Sequence, residues 1–353
     1  MYFLYLLIAI LFFGILIAVH EFGHFATAKL TDVKVNEFAI GMGPTLVQKQ
    51  KGETLYSWRL LPIGGYCAME GEDEETGDPR AFSCQKAWKK LLILVAGSFM
   101  NFLFGLLISL LLMTQVTAFT TTTLADLMDG FPHEGETGLM VGDEILEING
   151  KRVYLFDDVT LLLGRSEGTV DFVVRRDGEK LEINGLPLKL AEYEYNGETG
   201  LRYGFVFERK EATAFDRLRL GWYQTLDFVR MVGMSLGDLL SGDAGLKDMS
   251  GVIGIVDTIS SVGAQSQTVM LGLINVLYFV AFIAVNLAVM NLLPIPALDG
   301  GRIFFVIVNG VFEVLTHKRI PSKYEGYVHT VGFVLLLALM AIIAVGDVWK
   351  LVA

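Results

Sequence analysis

Four long apolar stretches interrupt the polar segments of this chain, and each is long enough to cross a lipid bilayer as an α-helix. A helix needs roughly 20 apolar residues to span the hydrocarbon core. The pattern therefore predicts a mainly α membrane protein with four transmembrane helices. The stretches run from about Tyr2 to Ala28, from near Leu91 to before Asp126, from about Val269 to Leu298 and from about Tyr327 to Val345.

The segment between the second and third stretches has a different pattern, with short alternating runs separated by glycine turns. One run ends at the Asn149-Gly150 turn, Val170 to Arg175 reads as another strand, and Asp157 to Leu163 reads as a short helix. Residues 121–189 are therefore predicted to form an inserted α+β domain. Residues 190–265 are predicted to be a linker and an amphipathic helix, Phe215 to Leu240, whose charges favour the membrane surface over a fifth span.

Short apolar strands and glycine turns also follow the first stretch, at residues 31–66. Val33 to Ile40 and Thr54 to Leu61 read as strands, and Gly64-Gly65-Tyr66 closes the set. Non-helical backbone is tolerated at membrane depth only where protein or a water-filled cavity surrounds it. We predict a membrane-associated β-hairpin, with a plain cytoplasmic sheet as the alternative. The first two helices and this hairpin occupy residues 1–120, and the last two helices occupy residues 266–353.

The composition agrees with a membrane protein, because 53% of the residues are hydrophobic and only 19% are charged. The net charge of −11 argues against a nucleic-acid partner, since duplex binding needs a basic face. Cys67 and Cys84 are too few for a disulfide framework and are expected to be reduced. Residues Met1 to Val19 carry no charge and so lack the basic region of a signal peptide, which predicts a retained span.

Basic residues are concentrated in the loop between helices one and two and in the loop between helices three and four. Under the positive-inside rule both loops are cytoplasmic, and the inserted domain and both termini are extracytoplasmic. The first loop contains Lys29, Lys34, Lys49, Lys51, Arg59, Arg80, Lys86, Lys89 and Lys90, and the second contains Arg302, Lys318, Arg319 and Lys323.

The sequence His20-Glu21-Phe22-Gly23-His24 places two histidines at positions i and i+4, on one face of the first predicted helix. Both imidazoles can then reach one tetrahedral Zn²⁺ at about 2.0–2.1 Å. Glu21, beside the first histidine, is suited to act as the general base of metal-assisted hydrolysis. Ionisable residues inside a membrane span carry an insertion penalty and are functional by default. A buried structural polar cluster is the alternative interpretation.

Zinc needs a third protein ligand, and Asp299 is the best candidate carboxylate. It ends a run without charge from Thr258 to Leu298. Pro294 and Pro296 break the helix before it, so an unwound segment would present the carboxylate at membrane depth. Alternatively, Asp299 marks only the cytoplasmic end of the third span. The other histidines, which have no supporting motif, are His133, His317 and His329.

These motifs together resemble the site-2 protease family, and more narrowly its bacterial regulator-of-sigma-E protease branch with a single PDZ domain. The resemblance covers nearly the whole chain and rests chiefly on the His-Glu-x-x-His and Leu-Asp-Gly pair. Gly97-Ser98-Phe99-Met100-Asn101 is similar to the family's Gly-Pro-x-x-Asn, and Ser250 to Ile255 is similar to its Ser-Gly-Pro-Val-Gly-Ile. Ser98 and Val252 stand where the family has prolines.

The resemblance implies a zinc cofactor and a role for each residue of the motifs. The zinc ligands would be His20, His24 and Asp299, and the general base would be Glu21. The residues that engage unwound substrate backbone would be Asn286, Asn291, Pro294 and Pro296. The hairpin would pair with substrate by strand addition. The inserted domain, with Gly142-Asp143-Glu144-Ile145, is similar to a PDZ domain and would exclude substrates that have not been trimmed.

The function that the resemblance implies is regulated intramembrane proteolysis in the inner (plasma) membrane of a bacterium. The enzyme would be a zinc metalloendopeptidase that hydrolyses peptide bonds within the transmembrane segments of pre-trimmed single-span proteins. Its partners would be anti-sigma factors or signal-peptide remnants in the lipid bilayer. Two alternatives are a membrane-anchored zinc protease that cuts soluble or misfolded proteins and a non-catalytic PDZ-bearing scaffold. The presence of Glu21 and all three candidate ligands disfavours the scaffold.

Overall fold

Helices make up most of the ordered structure of the chain. A computed structural model describes residues 2–72, 76–195, 197–245, 249–318 and 322–352. Its helices are α1 (Tyr2–Leu30), α2 (Ala87–Met113), α3 (Phe156–Gly164), α4 (Ala214–Ser241), α5 (Val252–Gln265), α6 (Val269–Asn291), α7 (Asp299–Thr316) and α8 (Ser322–Val352). Helices α1, α2 and α6 and residues Tyr324–Lys350 of α8 are long and apolar enough to cross a membrane. The prediction of four candidate spans in a mainly helical membrane protein is confirmed.

The third span is shorter than its apolar run predicts. Helix α6 ends at Asn291 rather than near Leu298, and residues 292–298 form a non-helical link. Pro294 accounts for the early end, because proline disfavours helical backbone in the residue before it and removes a backbone donor. Asp299 consequently begins the new helix α7 instead of ending the third span.

Two long strands, β1 (Val35–Lys51) and β2 (Thr54–Met69), pair antiparallel after α1. The start of β1 lies between two segments of β2, since Ile40 pairs with Gly65 on one side and with Trp58 on the other. Residues 65–69 of β2 pair only with β1 among the described residues, so they form an edge of this sheet.

An apolar cluster packs this sheet against α1 and α2. The rings of Phe25 in α1 and Phe38 in β1 lie 4.8 Å apart between centroids. Burial raises the pKa of the free Cys67 thiol, so this cysteine acts as a packing residue rather than a nucleophile. The sheet is thereby held beside the helix that carries both motif histidines. The buried members of the cluster are Ala28, Val33, Val35, Phe38, Cys67, Met69, Phe82, Ile93 and Leu94.

The chain divides into two compact units, and the smaller one is rich in strands. One unit comprises Met1–Ser109 and Phe228–Ala353, and the other comprises Leu110–Asp227. Strands of the second unit are β3 (Ala118–Leu127), β4 (Glu144–Ile148), β5 (Lys151–Arg152), β6 (Thr169–Arg176), β7 (Glu179–Pro187), β8 (Ala191–Tyr195), β9 (Glu198–Arg202) and β10 (Phe205–Glu211). Its main sheet has the order β10-β3-β4-β6-β7, with β5 beside β4, and β8 pairs with β9.

The second unit extends beyond the predicted domain boundary at residue 189. Strand β10 pairs antiparallel with β3, where Phe205 faces Leu127 and Glu211 faces Ala118. Residues that the sequence pattern assigned to a linker therefore complete the sheet. The two strands are far apart in the sequence, and a local pattern does not reveal a remote partner. Helix α4 covers the predicted amphipathic helix, and its position on the membrane surface stays a prediction.

Asp143 organises the turn that precedes β4. Its side chain is fully buried and accepts a hydrogen bond of 2.8 Å from the backbone N–H of Met140. Nε and Nη2 of Arg176 donate to its two oxygens, each at 2.8 Å. A buried carboxylate is stable only with such partners, which explains why an aspartate follows Gly142 here.

A second buried carboxylate joins α8 to the first turn of α5. Asp347 Oδ2 accepts hydrogen bonds of 2.9 Å from the backbone N–H groups of both Gly251 and Gly254. These N–H groups have no acceptor within their own helix, and the positive end of the helix dipole favours an anion. A Cβ at either glycine would lie 2.9 Å from an Asp347 oxygen. This close contact with Asp347 explains why glycine occupies positions 251 and 254 of the Ser250 to Ile255 motif.

We expect Asp143→Ala to lower the free energy of unfolding of the second unit by about 3 kcal/mol, because it leaves Arg176 without its buried carboxylate. Glu144→Ala is the matched control, since the Glu144–Arg175 pair is exposed and an exposed pair contributes roughly 0–1 kcal/mol. Hydrogen exchange of the β4 and β6 amides in the full-length protein measures both changes. Equal protection in the two variants would contradict the role given to Asp143.

Candidate metal centre

Helix α1 presents His20 and His24 on one face, one turn apart. Both residues are buried, with 9% and 7% of their surface exposed. Their rings meet edge to face with centroids 4.8 Å apart, and the two Nε2 atoms are 3.2 Å apart. The i, i+4 spacing predicted from the sequence therefore brings one nitrogen of each ring to the same point.

Asp299, the first residue of α7, brings a carboxylate oxygen to the same point. Its Oδ2 lies 3.1 Å from His20 Nε2 and 3.3 Å from His24 Nε2. Among the described residues, these three are the only group of three histidine, cysteine or acidic side chains placed to share a metal ion. The structure thus brings the three predicted ligands together.

The spacing of the three atoms fits a tetrahedral zinc ion. Two ligand atoms bound to one Zn²⁺ at 2.0–2.1 Å lie about 3.3 Å apart in a tetrahedral site. The observed separations are 3.1, 3.2 and 3.3 Å. Asp299 Oδ2 is buried, yet it accepts no well-directed hydrogen bond from the described residues. A buried oxygen without a hydrogen-bond donor beside two imidazole nitrogens fits a cation-binding site better than a hydrogen-bonded cluster.

A folded link delivers Asp299 to the histidines. Ala297 has a positive φ of 75°, and its backbone N–H donates to His329 Nδ1 of α8 at 3.0 Å. A non-glycine residue at positive φ is strained, so this hydrogen bond helps to hold the turn. The link also folds back on the start of α7, where a Cβ at Gly300 would lie 2.1 Å from the carbonyl oxygen of Leu293.

Helix α2 passes the histidines at very short range. A Cβ at Gly97 would lie 2.4 Å from His24 Nε2 and 2.8 Å from His20 Cε1. On the facing helix, a Cβ at Gly23 would lie 2.3 Å from the carbonyl oxygen of Ala96. Small residues at helix contacts allow this close approach of backbones in a membrane protein. Glycine at position 97 therefore leaves room for the candidate ligands.

The backbone of α2 also orients His24. The Nδ1 atom of His24 lies 2.8 Å from the carbonyl oxygen of Ile93, which can only accept a hydrogen bond. Nδ1 must therefore carry the proton, and Nε2 is left with a free lone pair directed at the shared point. Metal-binding histidines commonly have this kind of partner on the other ring nitrogen.

Glu21 is half-buried and directly follows His20 in α1. A Cβ built on Gly65 would lie 3.7 Å from Glu21 Cγ. The predicted general base is thus adjacent in sequence to a predicted metal ligand, His20. It is also close in space to Gly65 at the edge of the sheet.

The predicted substrate-binding residues lie on and after α6. Asn291 ends the helix, and its Nδ2 is 3.5 Å from both ring nitrogens of His20. Asn286 is five residues earlier, roughly 140° around the helix. Pro294 and Pro296 belong to the link, and a Cβ at Gly332 of α8 would lie 2.2 Å from Pro296 Cβ. Of these four, Asn291 is the one for which a contact with a candidate ligand is described.

His329 is a residue of this centre that the sequence pattern missed. Its role depends on the turn at Ala297, and no motif marks either residue. Ile93 was missed for a similar reason, since it contributes through a backbone carbonyl that any residue could supply.

Known proteins are similar to this chain over nearly its whole length. The model of the family described as Peptidase family M50 matches residues 8–339. A protein of Clostridium acetobutylicum is 36% identical over 351 residues, which cover 99% of this chain and 98% of that protein. A protein of Clostridium perfringens is 35% identical over 347 residues, covering 98% of each chain. A protein of Fusobacterium nucleatum is 33% identical over 358 residues, again covering 98% of each.

All three relatives are named as zinc metalloproteases, and members of the matched family use zinc. The family match extends over nearly the whole chain. It includes the parts of α1, α2, α6 and α7 that contribute to the site. The chain therefore belongs to peptidase family M50, the site-2 protease family, and is a zinc metallopeptidase with candidate membrane-spanning helices.

Proposed function

We propose that this protein is an intramembrane endopeptidase that hydrolyses peptide bonds within the transmembrane segments of single-span proteins. The observation that carries the proposal is the convergence of two buried histidines, His20 and His24, with the half-buried Asp299 at one point between apolar helices. A protease that acts only on soluble chains has no need to place ionisable ligands in a candidate span, where they carry an insertion penalty.

The residues of the centre divide the chemistry between them. His20, His24 and Asp299 would hold the metal ion, which when bound would supply a Lewis acid for the scissile carbonyl and activate a water molecule. A carboxylate oxygen of Glu21 takes the proton from the attacking water and then gives it to the amide nitrogen of the leaving chain. The Ile93 carbonyl keeps the proton of His24 on Nδ1, so Nε2 stays available as a ligand.

Residues 65–69 of β2 offer a route for presenting substrate. A transmembrane helix resists hydrolysis because its amides are hydrogen-bonded internally, so it must unwind before its backbone can reach the site. The edge has backbone groups with no strand partner on one side among the described residues, and it passes beside Glu21. An unwound substrate segment could add to it as a further strand. Asn291 and the Pro294–Pro296 link would contact the same segment.

The topology and substrates follow from the family resemblance and the charge pattern. We propose a multi-pass protein of a bacterial inner membrane, with the centre toward the cytoplasm and both termini outside. The unit Leu110–Asp227 would be a PDZ-like domain that excludes untrimmed substrates. Anti-sigma factors and signal-peptide remnants are the substrate classes that the resemblance implies. A membrane-anchored protease for soluble or misfolded proteins is the competing function.

Glu21→Gln should retain zinc and lower the cleavage rate by about 10²–10⁴-fold, because glutamine cannot transfer the proton. Zinc content of the purified full-length protein and the cleavage rate of a synthetic single-span substrate measure the two effects separately. Cleavage by the variant at the wild-type rate would remove Glu21 from the general-base role.

Cleavage of this single-span substrate should occur within its transmembrane segment. Mass spectrometry of the products from reconstituted wild-type protein determines the positions of the cut bonds. A soluble, unfolded protein serves as the comparison substrate and should be cut slowly. Sites confined to the exposed tails, with rapid cleavage of the soluble substrate, would favour the competing function.

Gly97→Ala should lower the affinity for zinc, because its methyl group would lie 2.4 Å from His24 Nε2. Gly105→Ala is the matched control on the same helix, since its Cβ would contact Val285 and Ala281 instead of a histidine. Asp299→Asn should also lose zinc, since the amide lacks the anionic oxygen. A chelator titration compares all three variants. Equal affinity in Gly97→Ala and Gly105→Ala would mean that α2 does not crowd the metal position.

A further inference from the structure

His20 and His24 differ in what holds the ring nitrogen that faces away from the proposed metal position. His24 Nδ1 has the Ile93 carbonyl at 2.8 Å. The described contacts of His20 Nδ1 are with two amide groups, Asn101 Nδ2 at 3.4 Å and Asn291 Nδ2 at 3.5 Å. One of these amides must orient His20 if its Nε2 is to serve as a ligand.

The position of Asn291 does not suit this role. Its Nδ2 is 3.5 Å from Nδ1 and also 3.5 Å from Nε2 of His20. An atom equidistant from both ring nitrogens lies off the lone-pair direction of each, and hydrogen bonds weaken steeply when they are misaligned. Asn291 therefore contacts the ring without selecting one nitrogen.

Asn101 is placed and buried as a dedicated partner would be. Only 1% of its surface is exposed, and its Oδ1 is a buried atom that accepts no hydrogen bond from the described residues. It follows Gly97 by four residues, so both face the histidines from one side of α2. A buried amide oxygen without a donor carries a free-energy penalty, and the polar contact described for the Asn101 side chain is with the His20 ring.

The direction of the hydrogen bond decides which nitrogen of His20 can bind a metal. A neutral imidazole carries one proton, so Nε2 can be a ligand only when the proton is on Nδ1. An amide N–H facing Nδ1 would favour the opposite tautomer. A half-turn of the Asn101 amide exchanges its nitrogen and oxygen and brings Oδ1 toward Nδ1–H.

We propose that Asn101 is the positioning residue of His20: its Oδ1 accepts from His20 Nδ1–H and keeps Nε2 unprotonated toward Asp299 and His24. The inference rests on the proposed zinc site and adds a residue to it. It gives the Gly97–Asn101 motif two functions on one helix face. Gly97 leaves space beside the ligands, and Asn101 orients one of them.

Two substitutions of Asn101 distinguish a side chain that accepts a hydrogen bond from one that only fills space. Asn101→Leu removes the acceptor at similar volume and should weaken zinc binding by about 10- to 100-fold, as loss of such a partner typically does. Asn101→Asp keeps an acceptor oxygen but has no N–H, and it should bind zinc within a few-fold of wild type. The measurement is a chelator competition on the full-length protein in detergent, with thermal unfolding recorded for each variant.

Ser109→Ala is the matched control, because Ser109 is equally buried on α2 but has no contact with the histidines among those described. It should bind zinc as wild type does. Wild-type affinity in Asn101→Leu would overturn the inference, and equal losses in Asn101→Leu and Asn101→Asp would show that the amide donates or packs instead of accepting. Asp299→Asn in the same assay distinguishes the two proposals: zinc retained in that variant as well would overturn the metal site itself.

Discussion

The meeting of two imidazoles and a carboxylate at one buried point constrains the helices around it. Each group is unfavourable alone in apolar surroundings, and their lone pairs converge without hydrogen bonds between the carboxylate oxygen and the rings. A shared divalent cation would balance this arrangement, as expected for a zinc peptidase of this family. The three candidate ligand atoms come from α1 and α7, so binding of one metal ion would require these two helices to be positioned accurately relative to each other.

Close backbone contacts fix the positions of the helices around the site. Helix α2 approaches the histidines through Gly97, the link folds on Gly300, and α8 approaches the link through Gly332. Each contact leaves less space than one methyl group requires, which limits sliding and rotation of the helices. Packing without voids is a strong constraint on geometry, since protein interiors do not deform continuously. The metal position is thus determined by backbones as much as by the ligand side chains.

Much of this arrangement can be predicted from the sequence. The four candidate spans follow from apolar length, and the pairing of His20 with His24 follows from helical spacing. Features that depend on remote partners could not be predicted. Proline indicates that α6 is interrupted, but the end at Asn291 and the new helix at Asp299 require the folded link. The pairing of β10 with β3 and the hydrogen bond from Ala297 to His329 join residues that no local pattern connects.

The hydrogen bond between Ala297 and His329 connects the last helix, α8, to the candidate metal site. The bond couples α8 to Asp299, because Ala297 is only two residues before that aspartate. Asp347 connects the same helix to α5 near its other end. A displacement of α8 would therefore be transmitted through this hydrogen bond to the turn that carries a candidate metal ligand.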